Sequence, residues 1–255
     1  MYTDSHAHLT SEPIFGALDE ILQRAKERQV ERIFNICTDK VSLRRGLELA
    51  AREERIHSVG ATPPQTVEQQ GELYFPLFEA AAKEGKLVAI GETGLDYHHR
   101  QSPKEIQRTF LIRYLRLAAK CLLPVVIHCR DAFADLYAIA GDHFPEGQIV
   151  LHCFTGTMND AERALEKGWM LSFSGIVTFK RSEELRAIAR EVPIDRMLIE
   201  TDSPYLAPQS MRGQTNEPSF IHETAQTIAA VKGLAVEEAA RITSGNARRF
   251  FKLEP

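Results

Sequence analysis

Short runs of β-branched and aliphatic residues alternate along this chain with longer runs in which apolar positions recur every three or four residues. The short runs predict strands and the long ones amphipathic helices. Strands are expected at Tyr2–His6, Arg32–Cys37, Ile56–Ala61, Leu87–Glu92, Pro124–His128, Gln148–His152, Met170–Phe173 and Met197–Thr201. The first helix opens at Pro13 and Ile14 and carries Leu18, Ile21, Leu22 and Ala25 on one face. Others are expected over Val41–Arg52 and Glu72–Lys83, and from Pro103 to about Cys121 with Ser102 as cap. Asp131 is expected to cap the next, and Gly168 ends one over Met158–Lys167. Ser182–Glu191, Pro218–Lys232 and Val236–Phe251 complete the set.

Strand-then-helix units with nearly continuous apolar strands argue a parallel sheet covered on both faces. Eight such units are the number that closes a (β/α)8 TIM barrel, an α/β fold. An open doubly wound sheet is the alternative, but no G-x-G-x-x-G follows any strand. Residues 1–255 show no linker-like run and no low-complexity tract, so a single domain is expected.

Composition narrows the class. Apolar content of 44% with 26% charged residues fits a soluble globular protein and excludes disordered and fibrous classes. No apolar run approaches the roughly 18–20 residues of a membrane span. The N-terminus has neither a basic n-region nor an apolar h-region. Cys37, Cys121, Cys129 and Cys153 form no C-x-x-C pair and read as reduced thiols, so a cytoplasmic location is expected. A net charge of −4 argues against a broad nucleic-acid surface but leaves room for local basic groups. No obligate protein partner is evident, and a monomer is expected.

The candidate chemistry gathers at predicted strand ends. His6 and His8 stand two residues apart, so strand geometry points both imidazoles to one face. Glu92, His128 and His152 end the fourth, fifth and sixth predicted strands, and Asp202 follows the eighth. In a barrel these ends converge on one mouth. Four histidines and two carboxylates exceed the needs of one tetrahedral ion and suit two divalent ions about 3.5–4 Å apart. The donor mix suits zinc, manganese, cobalt or iron, and disfavours magnesium.

Several stretches resemble the TatD family of metal-dependent deoxyribonucleases. They are Thr3-Asp4-Ser5-His6-Ala7-His8-Leu9, Ile90-Gly91-Glu92-Thr93-Gly94-Leu95-Asp96-Tyr97, Pro124-Val125-Val126-Ile127-His128 and His152-Cys153-Phe154-Thr155-Gly156. Glu200-Thr201-Asp202-Ser203-Pro204-Tyr205-Leu206 and Arg212-Gly213 with Asn216-Glu217-Pro218 continue the series in order. The resemblance implies a TIM barrel of the amidohydrolase superfamily, a dinuclear centre and hydrolysis of phosphodiesters in DNA. A 3'-5' exonuclease on single strands or ends is the expected activity. The resemblance further implies that His6, His8 and Asp202 hold one metal, that His128 and His152 hold the other, and that Glu92 bridges.

Two departures bear on the substrate. The family commonly carries Gly-x-His-Pro where this chain has Gly60-Ala61-Thr62-Pro63, and basic residues where it has Gln214 and Thr215. Both changes weaken phosphate contact and keep open another hydrolase on the same centre, acting on a small phosphoester, lactone or amide. For the nuclease, Asp202 and Glu92 are the expected catalytic carboxylates, with Asp202 as base. Arg130 and Arg212 are candidates to grip phosphates. His98 or His99 could protonate the leaving oxygen or contact the strand. Tyr97, Phe154, Phe179 and Tyr205 are candidates for base stacking. Asp96 and Glu200 are expected as braces, and alternation turns Cys129 and Cys153 away from the site.

Overall fold

The computed structural model describes residues 1–99 and 101–253. Eight strands lie in chain order, each parallel to the next. They are β1 (Tyr2–Ala7), β2 (Val30–Cys37), β3 (Ile56–Gly60), β4 (Ala89–Asp96), β5 (Val125–Arg130), β6 (Ile149–Leu151), β7 (Met170–Phe173) and β8 (Met197–Ile199). The helices between them are α1 (Glu12–Phe15), α2 (Leu18–Glu27), α3 (Lys40–Arg52), α4 (Val67–Lys83), α5 (Lys104–Cys121), α6 (Phe133–His143), α7 (Met158–Glu166) and α8 (Glu183–Glu191). Two more, α9 (Ile221–Lys232) and α10 (Val236–Phe250), follow β8. This is the (β/α)8 TIM barrel. Among the described residues no helix is long and apolar enough to cross a membrane.

Strand alternation sorts the apolar residues into two packed sets. Phe34, Ile36, Val59, Ala89, Val126, Val150, Met170 and Leu198 face inward and pack with Phe250 and Phe251. The Phe251 ring stacks on Phe34 at 3.6 Å between centroids. The opposite strand faces, with Ile33, Ile90, Ile127 and Leu171, meet the helices. Burial of these two sets supplies the main stabilisation.

The seam between the last strand and the first is closed mostly beyond the end of β8. Asp202 N donates to His6 O at 2.9 Å, and His8 N donates to Ser203 O at 2.7 Å. Asp4 Oδ1 accepts from Thr201 N at 2.9 Å, and Asp4 Oδ2 accepts from Thr201 Oγ1 at 2.5 Å. Ser5 Oγ donates to Ile199 O at 3.0 Å. Asp4 is fully buried, and burial raises its carboxyl to about 7 against the pull of the Thr201 bonds.

Several local expectations are corrected. The first predicted helix is two, α1 and α2, broken at Gly16 and Ala17. Helix α4 begins at Val67 rather than Glu72. Pro103 is itself the cap of α5, and the Ser102 hydroxyl instead donates to Gln65 O. Asp131 does not cap α6, whose N-cap is Ala132. It stands at φ +54°, and its carboxylate faces His98 Nδ1 at 3.2 Å, away from the helix end.

Replacing Thr201 by Val keeps the shape but leaves a buried Asp4 oxygen without its donor. A loss of about 1–3 kcal/mol is expected, read as a lower urea midpoint at unchanged slope. An unchanged midpoint would show that the seam does not depend on this bond.

Candidate metal centre

Each strand delivers its polar residue to the mouth by its own local device. His6 lies in β1, and His8 follows directly on its end. Glu92 lies inside β4, not at its end as expected, because the strand runs on to Asp96. The pairing of β4 with β5 shifts register between Ile90 and Thr93. Gly91 and Gly94 sit at φ +150° and +146°, and a Cβ on Gly94 would stand 1.9 Å from His128 O. Only glycine allows that approach. His128 lies in β5, and His152 follows the end of β6. Asp202 follows β8 with a left-handed backbone at φ +59°.

The donor atoms form two sets. His6 Nε2 and His8 Nε2 are 3.3 Å apart. Glu92 Oε2 lies 3.6 and 3.7 Å from them, and Asp202 Oδ1 lies 3.6 and 3.4 Å from them. A tetrahedral ion with ligands at about 2.0–2.2 Å needs donor separations of about 3.3–3.6 Å. Four of the five edges fall in this range, and the fifth, from His8 to Glu92, is 0.1 Å longer. In the second set, His128 Nδ1 and His152 Nε2 are 3.3 Å apart, and Glu92 Oε1 lies 3.1 and 3.2 Å from them. Glu92 thus turns one oxygen to each set. The residues present fit divalent cations on donor chemistry and spacing alike.

A second layer holds two of the rings. Glu200 Oε1 faces His152 Nδ1 at 3.2 Å, and Asp96 Oδ2 faces His128 Nε2 at 3.1 Å. Both carboxylates are buried, and such partners fix which ring nitrogen is left for a cation. The His6 ring instead stacks on that of His152, 3.9 Å between centroids, and its Nδ1 has no partner among the described residues.

Charge in this cluster is tightly balanced. Burial opposes ionisation of Glu92, yet His152, His128 and His6 around it hold its carboxyl well below the usual range. Burial also opposes a charged His152, but Glu92 and Glu200 hold it well above its ordinary value. His6 goes the other way: burial, with His152 beside it, pushes it down to about 4. Protons and a metal compete for the same lone pairs, so a bound cation takes over the neutralising role.

A cavity of about 670 Å³ opens over the cluster, and His8, Glu92, His128, His152 and Asp202 line it. Arg130, His99 and Tyr205 line it as well. Arg212 does not; its guanidinium lies over the Phe179 ring at 4.8 Å. Of the aromatic candidates only Tyr205 reaches the cavity. Phe154 is buried in the core, Phe179 carries Arg212, and Tyr97 donates its hydroxyl to Asp135. Cys129 and Cys153 do line the cavity, against expectation. Cys153 lies past the end of β6 at φ +44°, where strand alternation no longer applies. Thr62 is buried and bonds Tyr114 Oη at 3.0 Å, outside the cavity.

Gln65 had no signal in the sequence. Its Nε2 donates to Asp96 Oδ2 at 2.9 Å, from the loop after β3 to the end of β4, a partner no local pattern announces. Asn216 and Glu217 hold the loop after β8. Asn216 Nδ2 donates to Thr201 O and Tyr205 O, and Glu217 takes a forked contact from Arg24.

The family model for TatD-related DNases matches residues 3–252. The chain belongs to this family. Proteins similar to it include an uncharacterized metal-dependent hydrolase of Bacillus subtilis, YabD, 39% identical and covering 99% of this chain and 100% of its own. A 3'-5' ssDNA/RNA exonuclease TatD of Erwinia tasmaniensis is 34% identical, with 98% of this chain and 99% of its own covered. The crystal structure of the TatD homologue YjjV from Escherichia coli superposes with a TM-score of 0.93 at 26% identity, covering 99% of this chain and 98% of its own. As a member of the TatD family, this chain is a metal-dependent hydrolase.

Glu200→Gln tests the second layer. Removing the charge behind His152 is expected to weaken metal affinity about 10–100-fold, measured by competition with a chelating dye. Unchanged affinity with an intact fold would make Glu200 a core residue only.

Proposed function

We propose that this chain hydrolyses phosphodiester bonds in single-stranded DNA or at strand ends, working from the 3' end, at a centre of two divalent ions. His6, His8 and Asp202 would hold one ion and His128 and His152 the other, with one Glu92 oxygen turned to each set. The observation that carries this reading is the division of the two Glu92 oxygens between the two donor sets. The likeness to the 3'-5' ssDNA/RNA exonuclease TatD of Erwinia tasmaniensis supports the substrate class and the polarity. The many nitrogen donors suit zinc, manganese, cobalt or iron better than magnesium.

Two divalent ions bound here would set four positive charges against the two of Glu92 and Asp202, draw in a phosphate anion and bring the pKa of water to about 7. Asp202 orients the attacking water and takes its proton on its carboxylate. Glu92 stays ionised, because all four imidazoles face it within 3.7 Å. Asp96 and Glu200 keep the His128 and His152 rings from turning. Arg130 offers its planar fork to a phosphate oxygen at the cavity wall. Tyr205 is 54% exposed at the rim, its ring 5.7 Å from that of His8, and presents a face for a base.

Chelator-stripped protein is tested on an oligonucleotide labelled at its 5' end, with zinc, manganese, cobalt and magnesium restored one at a time. A ladder shortened from the 3' end, seen only with metal, is expected. Asp202→Asn should lose at least about 100-fold in rate while elemental analysis still finds two ions per chain. Cleavage of nitrophenyl phosphodiesters without cleavage of DNA would move the substrate to a small ester. Full activity of Asp202→Asn would remove its role as base.

A further inference from the structure

Asp96 is almost wholly buried, yet five donors meet its two oxygens. Oδ1 accepts from the backbone N–H of His98 at 3.0 Å and of His99 at 2.9 Å. Oδ2 accepts from Gln65 Nε2 at 2.9 Å, His128 Nε2 at 3.1 Å and His99 Nδ1 at 2.7 Å. A carboxylate accepts only, so the ring nitrogens that face it carry protons. His128 turns its other nitrogen, Nδ1, to Glu92 Oε1 at 3.1 Å. For His99 the other nitrogen is Nε2.

The two adjacent histidines differ in where they go. His99 lines the cavity over the metal cluster, with its side chain 48% exposed. His98 does not line it; its Nδ1 faces the exposed Asp131 at 3.2 Å, and Asp131 lines a neighbouring groove instead. One buried carboxylate therefore grips both a ring of the metal cluster and a second imidazole at the cavity wall. The spacing of the two rings is set by a single group.

We propose that His99 is the general acid of the reaction, held by Asp96 at Nδ1 and giving its Nε2 proton to the leaving sugar oxygen. The assignment rests on the phosphodiester reading above. In the step, the water oxygen bonds to phosphorus and its proton passes to Asp202. The bond from phosphorus to the sugar oxygen breaks, and its electron pair stays on that oxygen. The His99 proton joins it, so an alcohol departs rather than an alkoxide. His99 is left neutral and regains a proton from solvent at the mouth, while Asp202 releases one there. The charge and atom count close without any further reactant. Such proton transfer is typically worth about 10²–10⁴-fold.

His99→Gln is compared with the wild-type enzyme, both metal-loaded, on an oligonucleotide and on thymidine 5'-(4-nitrophenyl phosphate). The nitrophenolate leaves without a proton; the sugar oxygen does not. A loss of about 100-fold or more on the oligonucleotide, with only a few-fold loss on the nitrophenyl ester and unchanged metal content, is expected. Equal loss on both substrates, or none on either, overturns the assignment. Loss of metal together with activity would show that His99 only steadies Asp96 and His128, and overturns it as well. Failure of the wild-type enzyme on the oligonucleotide would instead overturn the phosphodiester reading itself, before any variant is compared.

Discussion

Glu92 is a carboxylate with almost no water to turn to. A charge at that depth costs several kcal/mol or is given up unless positive partners meet it. The barrel answers with imidazoles from both sides, and the rest of the mouth follows from that need. His6 and His8 come from the first strand, and His128 and His152 from the fifth and sixth, so Glu92 joins distant parts of the chain. Asp202 arrives from beyond the eighth strand to complete the first donor set. The buried carboxylates behind the rings, Asp96 and Glu200, continue the same alternation of charge and imidazole outward.

The barrel was legible in the sequence because its physics is periodic. Apolar runs of strand length and helical spacings of three and four recur eight times, and they leave little choice of architecture. The gathering of these histidines and carboxylates was legible for a related reason: alternation puts His6 and His8 on one face, and strand ends of a barrel meet. What escaped is what periodicity does not encode. Strand β4 outlasts its apolar run because Gly91 and Gly94 let it press against β5. Cys153 leaves the strand in a left-handed turn and swings to the cavity that alternation denied it. Arg212 lies over the Phe179 ring, and neither lines the cavity. Asp131 looks like a cap, but His98 draws its carboxylate away.

The departures from the family pattern also take on a physical meaning. Thr62 stands where the family commonly has histidine, and it turns to the buried Tyr114 hydroxyl rather than into the cavity. The cavity wall on that side is supplied by Gln65, which reaches the carboxylate behind His128. Thr62 itself lies outside the cavity and outside the donor set. Gln214 and Thr215 lie on a loop whose shape is governed by Asn216 and Glu217, so the backbone path there does not rely on the absent basic residues.

The seam between β8 and β1 sets the order in which the molecule can become competent. His6 and His8 stand nearly 200 residues before Asp202 in the chain. Closing a contact between such distant positions is slow, because the loop entropy must be met before the bond rewards it. A nascent chain thus carries two histidines that lack their Asp202 partner until the final strand docks. The donor set is assembled by the same event that shuts the barrel, and a half-made protein holds neither a closed sheet nor a complete cage.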